Sequence, residues 1–352
     1  MSTTGDLELR PEPFESLEQD WRRLGEQSGN VFSTWEWASI WWRHFGRGAR
    51  LLTASLRDAS GEAVAILPLY LGFARPVRVA RFIGHGAGDE LGPVCPVGDT
   101  RAHAALPGSA RGLGWDVLLA DRLPGEGHAE RLGGRLLRRD SSPVIDLSAG
   151  SWDDYLATRS SNFRSQVRRK ERKLVRESGL TYRLSEDPER LTADLDVLFE
   201  LHEARWAGGS SGALAGARVS FHRDFAAVAQ ERGWLRLWLA EIDGRAVAAW
   251  YGFRFADADW YYQFGRDPEW DKASVGLVLL AHTVRDAVEA GQSQYRLLRG
   301  GESYKDRFAT ADPGIETVAI PRGARGRLAV GAATTGLALP GPLRRRLTRA
   351  VG

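Results

Sequence analysis

The chain has 352 residues, 43% hydrophobic and 26% charged, with a formal net charge of +3 and a single cysteine, Cys95. That composition excludes a disordered or collagen-like protein, and the length favours about two domains. One cysteine excludes an internal disulfide and argues against a cysteine-based zinc site; the seven histidines show no metal-ligand spacing, so no metal is expected.

The N-terminus, "MSTTGDLELRPEPFE", lacks a basic stretch followed by an apolar one, so no signal peptide is read and a cytoplasmic location is expected. A helix follows over "WEWASIWWRHFG", where Trp35, Trp37, Trp41 and Trp42 cluster. They suit a core between two halves of the chain, with sugar stacking as the alternative. "LLTASLRDASGEAVAILPLYLG" (51–72) alternates as two strands around an Asp/Ser/Gly turn, and "RVARFIG" adds a strand ending at Gly84. A glycine-rich loop (84–99) comes next, with no helix expected before the strand "WDVLLAD" (115–121).

Past "DLSAGSW" near residue 150 the plan repeats. "SNFRSQVRRKERKLVRESG" is a strongly basic helix with Phe163, Val167 and Leu174 on one stripe and Arg164, Arg168, Arg172 and Arg176 on a ridge. Like charges at that spacing repel, so an anionic partner is the functional reading and a solvated face the plain one. Two helical patterns, "LDVLFELHEARW" and "FHRDFAAVAQERG", lead into the hairpin "LRLWLAEIDGRAVAAWYGFRFAD" (235–257). The strand "WYYQFGR", a helix over 275–291 and the strand "QYRLLRG" (294–300) follow. "GEAVAI" at Gly61 and "GRAVAA" at Gly244 share an offset with Gly84 and Gly265 to within two residues, which points to duplication. The division is 1–150, 151–320 and a basic tail, 321–352, each half an α+β layout with a mainly antiparallel sheet. The tail's apolar run is far short of a membrane span, though its arginines could touch an anionic surface.

Three stretches could carry chemistry. In "RLLRGGESYKDRFAT" a double glycine breaks a strand, and Glu302, Tyr304 and Lys305 follow at once. Acyl transfer to an amine needs a base, donors for the oxyanion and an acid for the leaving group, and these three types supply them. In "DPEWDKASVGLVLL" small residues open a helix whose free N–H groups could take a phosphate; simple capping by Ser274 is the alternative. "GGSSG" (208–212) fits a nucleophile-elbow string but follows a helix rather than a strand, so no hydrolase is read from it.

The element order resembles the GNAT superfamily of N-acetyltransferases. "FSTWEWASIWWRHFG", "DDYLATRSSNFRSQVRRKERKLVRESG" and "GGESYKDRFA" together resemble its cellulose-biosynthesis-associated group, which is similar to the Fem-type peptidoglycan aminoacyltransferases, over residues 10–320. The resemblance implies tandem GNAT-like domains, a degenerate first and a catalytic second. It implies an N-acyltransferase using acetyl-CoA or another acyl-CoA as co-substrate, acting on an amine in polysaccharide or cell-envelope biosynthesis. Tyr304 would be the leaving-group acid, Lys305 a charge stabiliser, and Lys272, Ser274, Val275 and Gly276 the donor loop. Asp89, in the first half's glycine-rich loop, falls where the group often has an acid, and His202 could face the acceptor, as could Arg164 and Arg168 on the basic helix. An aminoacyl-tRNA-dependent transferase on a cell-wall precursor is the rival, and a non-catalytic anion- or polysaccharide-binding protein the alternative of another class.

Overall fold

The computed structural model describes residues 7–73, 75–148, 150–205, 214 and 216–334; the "GGSSG" segment and the distal tail lie outside the described residues. In chain order the first stretch holds β1 (Glu8–Pro11), α1 (Glu18–Gln27), α2 (Trp35–Phe45), β2 (Arg50–Leu51), β3 (Ala54–Arg57), β4 (Ala63–Leu67) and β5 (Leu69–Phe73). It continues through β6 (Val79–Phe82), α3 (Arg101–Leu113), β7 (Val117–Pro124), α4 (His128–Arg131) and β8 (Arg135–Asp140). The middle stretch opens with β9 (Val144–Asp146), α5 (Trp152–Ala157), α6 (Ser161–Ser178), β10 (Thr181–Leu184), α7 (Leu191–Arg205) and α8 (Ala217–Glu231). There follow β11 (Leu235–Ile242), β12 (Arg245–Phe255), β13 (Ala258–Arg266), α9 (Val275–Glu289), β14 (Gln294–Arg296) and α10 (Ser303–Phe308). β15 (Ile315–Pro321) and α11 (Gly323–Thr334) come last.

Two compact units result, Ser141–Asp312 and the two flanking stretches together. The division therefore departs from a single cut near 150. β9 joins the second unit's sheet by pairing β14, whereas β15 inserts between β7 and β8 of the first. Residues 315–320, expected to close the second half, thus belong to the first unit.

The two units follow one plan, the second as a single mixed sheet and the first split into two sheets. In the second the strand order is β10-β11-β12-β13-β14-β9, antiparallel except for the parallel pair β13–β14 that α9 connects. In the first, β1-β3-β4 and β2-β5-β6-β7-β15-β8 follow the same course. Pro68 interrupts the stretch that forms β4 and β5, because proline offers no ladder N–H. β6 and β7 are again parallel, with α3 between them. That helix is a correction, since the glycine-rich first half was read as lacking it; Pro107, Gly108 and Gly112 within it disguise the pattern. Each hairpin turns on its glycine: Gly61 (φ 86°), and Gly244 (φ 74°) beside Asp243 (φ 50°), the positive pair a two-residue turn requires.

The tryptophan helix packs inside the first unit, where Trp35 stacks on Phe14 at 4.5 Å and Trp41 lies beside Tyr70. The second unit's core joins α6 to α9: Phe163, Val167 and Leu174 are buried with Val275, Val278 and Leu279. Burial of that stripe, at roughly 1.5–3 kcal/mol per side chain, holds the basic helix in place despite its like charges.

Candidate functional site

The second unit's sheet opens where its two parallel strands part. β13 and β14 pair only over Ala258–Trp260 and Gln294–Arg296, yet β13 runs on to Arg266. Beyond Arg296 the chain leaves the ladder. Leu297 and Gly300 donate instead to the carbonyls of Pro143 and Ser141. The departure uses two left-handed residues, Leu298 (φ 56°) and Gly300 (φ 134°), before α10 begins. β13 is also irregular on its other edge, where pairing passes from Tyr251↔Gln263 to Gly252↔Tyr261 and leaves Tyr262 as an extra residue. The bulge breaks strict alternation. Tyr261 and Phe264 both join the α9-side core, while the Tyr262 hydroxyl lies 3.3 Å from His222 Nε2.

Glu302, Tyr304 and Lys305 come together at this opening. The phenol oxygens of Tyr304 and Tyr261 are 3.0 Å apart. Burial raises the pKa of Tyr304, opposed by the Tyr261 hydrogen bond and by the Arg205 guanidinium, so the group is a protonated phenol at neutral pH. Tyr261, fully enclosed, is raised much further. The Lys305 ammonium is only 3% exposed; it donates to Arg299 O (3.0 Å) and Leu298 O (3.4 Å) and pairs with Glu302 Oε2 (3.0 Å). An ammonium has three protons to donate, and two carbonyls and a carboxylate are among the groups that take them here. The lysine therefore ties the strand exit to the first turn of α10. Gly300 is where that tie passes closest to the backbone: a Cβ there would meet Glu302 Oε2 at 2.2 Å and Lys305 Nζ at 2.9 Å.

The donor-loop residues form the bend into α9. Ser274 takes φ 66° and its side chain makes no capping hydrogen bond, so the capping alternative is not what the structure shows. The first-turn N–H groups of a helix have no intrahelical acceptor, and here Val275 and Gly276 occupy that turn. Gly276 sits against the Phe264 ring, 2.9 Å from where its Cβ would be, so the backbone approaches β13 as no larger residue could. Phe264 thereby links this bend to Arg205, whose guanidinium lies 5.4 Å over the ring and donates to Phe264 O, and Arg205 in turn reaches Tyr304. Lys272 is exposed, its carbonyl accepting from Lys170 Nζ at 2.9 Å.

The remaining candidates lie elsewhere. Arg164 donates to the carbonyls of Ala157 and Arg159, closing the end of α5, and exposed Arg168 pairs with Asp153 at 2.8 Å. Asp89 belongs to the first unit and pairs with Arg122 at 2.9 Å. His202 is buried on α7, which crosses β13 so closely that a Cβ on Gly265 would meet His202 N at 2.5 Å. Burial pulls its pKa down to about 4, leaving a neutral imidazole. Tyr261 and Arg205 were not singled out from sequence. Alternation would have paired Tyr261 with Gln263 rather than Phe264, and Arg205 stood in "HEARW" behind the histidine. Among the described residues no group of three or more His, Cys, Asp or Glu is arranged to hold a metal ion, and no helix is long and apolar enough to cross a membrane.

No curated protein matches the sequence. Solved structures are similar in fold: FemX (12% identity, 90% of this chain and 97% of that one, TM-score 0.63) and the C-terminal domain of a putative lysylphosphatidylglycerol synthetase from Agrobacterium fabrum (13%, 92% and 97%, 0.58). L-PGS from Bacillus licheniformis is similar as well (12%, 96% and 98%, 0.52). Residues 161–306 match the family model of the acetyltransferase (GNAT) domain. The match to the GNAT acetyltransferase domain thus falls within the second unit, and the two units share one mixed-sheet plan in tandem.

Proposed function

We propose that the second unit is the catalytic N-acyltransferase domain, moving an acyl group from an acyl-CoA to an amine acceptor in polysaccharide or cell-envelope biosynthesis. The observation that carries this reading is the phenol of Tyr304 at the parting of β13 and β14, in hydrogen-bond contact with Tyr261. The acyl chain would lie in that opening, with the donor's phosphates on the first-turn N–H groups of α9, where the Ser274 side chain makes no cap. The amine attacks the acyl carbon; the C–N bond forms, the C–S bond breaks, and Tyr304 gives its proton to the departing thiolate. Glu302, the carboxylate beside Tyr304, receives the ammonium proton. Lys305 acts through the strand exit it holds and through its charge. Direct transfer is favoured because Cys95 is buried, with its thiol pushed up to about 12, and so is no nucleophile.

Aminoacyl transfer from a tRNA to a cell-wall precursor is the second reading, favoured by the exposed cations Arg169, Arg172 and Lys173 on α6 and by the fold shared with FemX. The test is thiol release from a panel of acyl-CoAs with amino-sugar and amino-acid acceptors. Thiol release that depends on acceptor supports the reading. Its absence with every acyl-CoA, alongside transfer from aminoacyl-tRNA, gives the second.

A further inference from the structure

The face of α6 turned away from the core carries Arg168, Arg169, Arg172 and Arg176, all exposed, with Val175 among them. At 3.6 residues per turn these five positions fall within about 120° of the helix circumference, opposite the buried stripe of Phe163, Val167 and Leu174. Arg168, Arg172 and Arg176 repeat every fourth residue, a spacing at which like charges repel. Glu171, the acid that could offset them from within the row, is turned aside: it pairs with Arg285 of α9 and accepts from the Tyr182 hydroxyl at 3.4 Å. Other compensation is slight. Arg168 meets Asp153 and Arg176 meets Glu177, both on open surface, where an ion pair is worth little. The Arg172 guanidinium donates to the Arg168 carbonyl of its own helix at 3.2 Å, and Arg169 has neither ion pair nor hydrogen bond among the described residues. Val175, 49% exposed, sets an apolar group in the middle of these cations.

We propose that this face of α6 docks on an anionic lipid surface. A plane of negative charge meets all four arginines at once, because positions 168 to 176 span only about 12 Å of helix axis. Each cation adds to an attraction that decays within a Debye length. The headgroup region of a bilayer also takes up the Val175 side chain. A nucleic acid backbone would leave that valine unused, and no aromatic side chain stands in the row to stack on bases. Phe163, Val167 and Leu174 stay in the core, so the helix rests on the headgroups and does not insert. Docking of this kind holds the second unit at a membrane whatever reaction it performs, and is independent of the acyl-transfer reading.

Cosedimentation of the full chain with vesicles tests the surface without any turnover. Binding is expected to mixed phosphatidylcholine and phosphatidylglycerol, weakening as salt is added, and not to phosphatidylcholine alone. An Arg169→Glu/Arg172→Glu variant should lose at least about tenfold in partitioning, since each cation at such a surface counts for roughly fivefold. Both positions are exposed, and circular dichroism checks the fold; if the variant misfolds, Arg169→Gln/Arg172→Gln reads the same loss. Arg169→Lys/Arg172→Lys keeps the charge and should keep the binding, because a lipid surface reads charge more than the geometry of the guanidinium fork. Failure to bind the anionic vesicles overturns the proposal, as does binding that the glutamate variant leaves untouched, which would assign the docking to another segment. A duplex RNA that binds the parent and loses affinity in the glutamate variant, with vesicles ignored, overturns it too and gives these arginines to nucleic acid.

Discussion

Replacing Tyr304 by phenylalanine deletes one oxygen and separates two consequences that the structure joins. The hydroxyl it removes is the 3.0 Å partner of Tyr261, whose own hydroxyl is buried. Leaving that group unsatisfied costs about 1–3 kcal/mol of stability. Tyr261→Phe makes the opposite cut: Tyr304 is only partly buried, so water can replace its partner, and the loss falls to about 0.5–1.5 kcal/mol. On rate the order is sharper. If Tyr304 is the acid, Tyr304→Phe lowers kcat by about 10²–10⁴-fold, the usual worth of general acid catalysis, whereas Tyr261→Phe stays within about tenfold. Steady-state kinetics and urea melts on both single variants and the double variant measure the two effects. An aryl thioester, whose thiolate leaves without a proton, should restore much of the rate to Tyr304→Phe and add little to the parent. An unchanged kcat in Tyr304→Phe, or rate losses that merely track stability in both variants, would refute the acid assignment.

Gly300→Ala sets a Cβ at φ 134° and 2.2 Å from Glu302 Oε2, so the Lys305 tie must shift; a loss of about 2–4 kcal/mol is expected in urea unfolding, and parent-like stability would contradict the close packing. Arg205→Gln removes a cation that lowers the pKa of Tyr304. The acid works while protonated, so rate is lost as pH rises through that pKa, and the variant's alkaline limb of kcat should move to higher pH; a limb that stays or moves down removes Arg205 from the site. Buried His202 and His222 have pKa values drawn below 6.5 to about 4 and about 3. The unfolded chain then binds more protons than the folded one below pH 6.5, so their contribution is full above that pH and declines as pH falls towards 4, on the order of 1–3 kcal/mol. Melting curves should show Tm falling across that window, and less steeply in His202→Gln.

Much of the architecture is local and was open to reading. The hairpin around Asp243 and Gly244 follows from alternation closed by a residue pair suited to positive φ, and α6 follows from an apolar stripe between Ser160 and Gly179. The double glycine marked where the chain turns out of the strand, because Gly300 tolerates a backbone that other residues avoid. Other features depend on residues distant in sequence. β15 pairs with β7 and β8 across almost two hundred residues, and nothing in its own seven positions names those partners. α3 forms despite Pro107 because packing outweighs propensity. Only the pairing of β12 with β13 creates the bulge that turns Tyr261 towards Tyr304, and only the parting of β13 from β14 makes the opening they border. Charge on α6 was visible as composition; whether each cation meets a carbonyl, a carboxylate or solvent was settled by what folds against it.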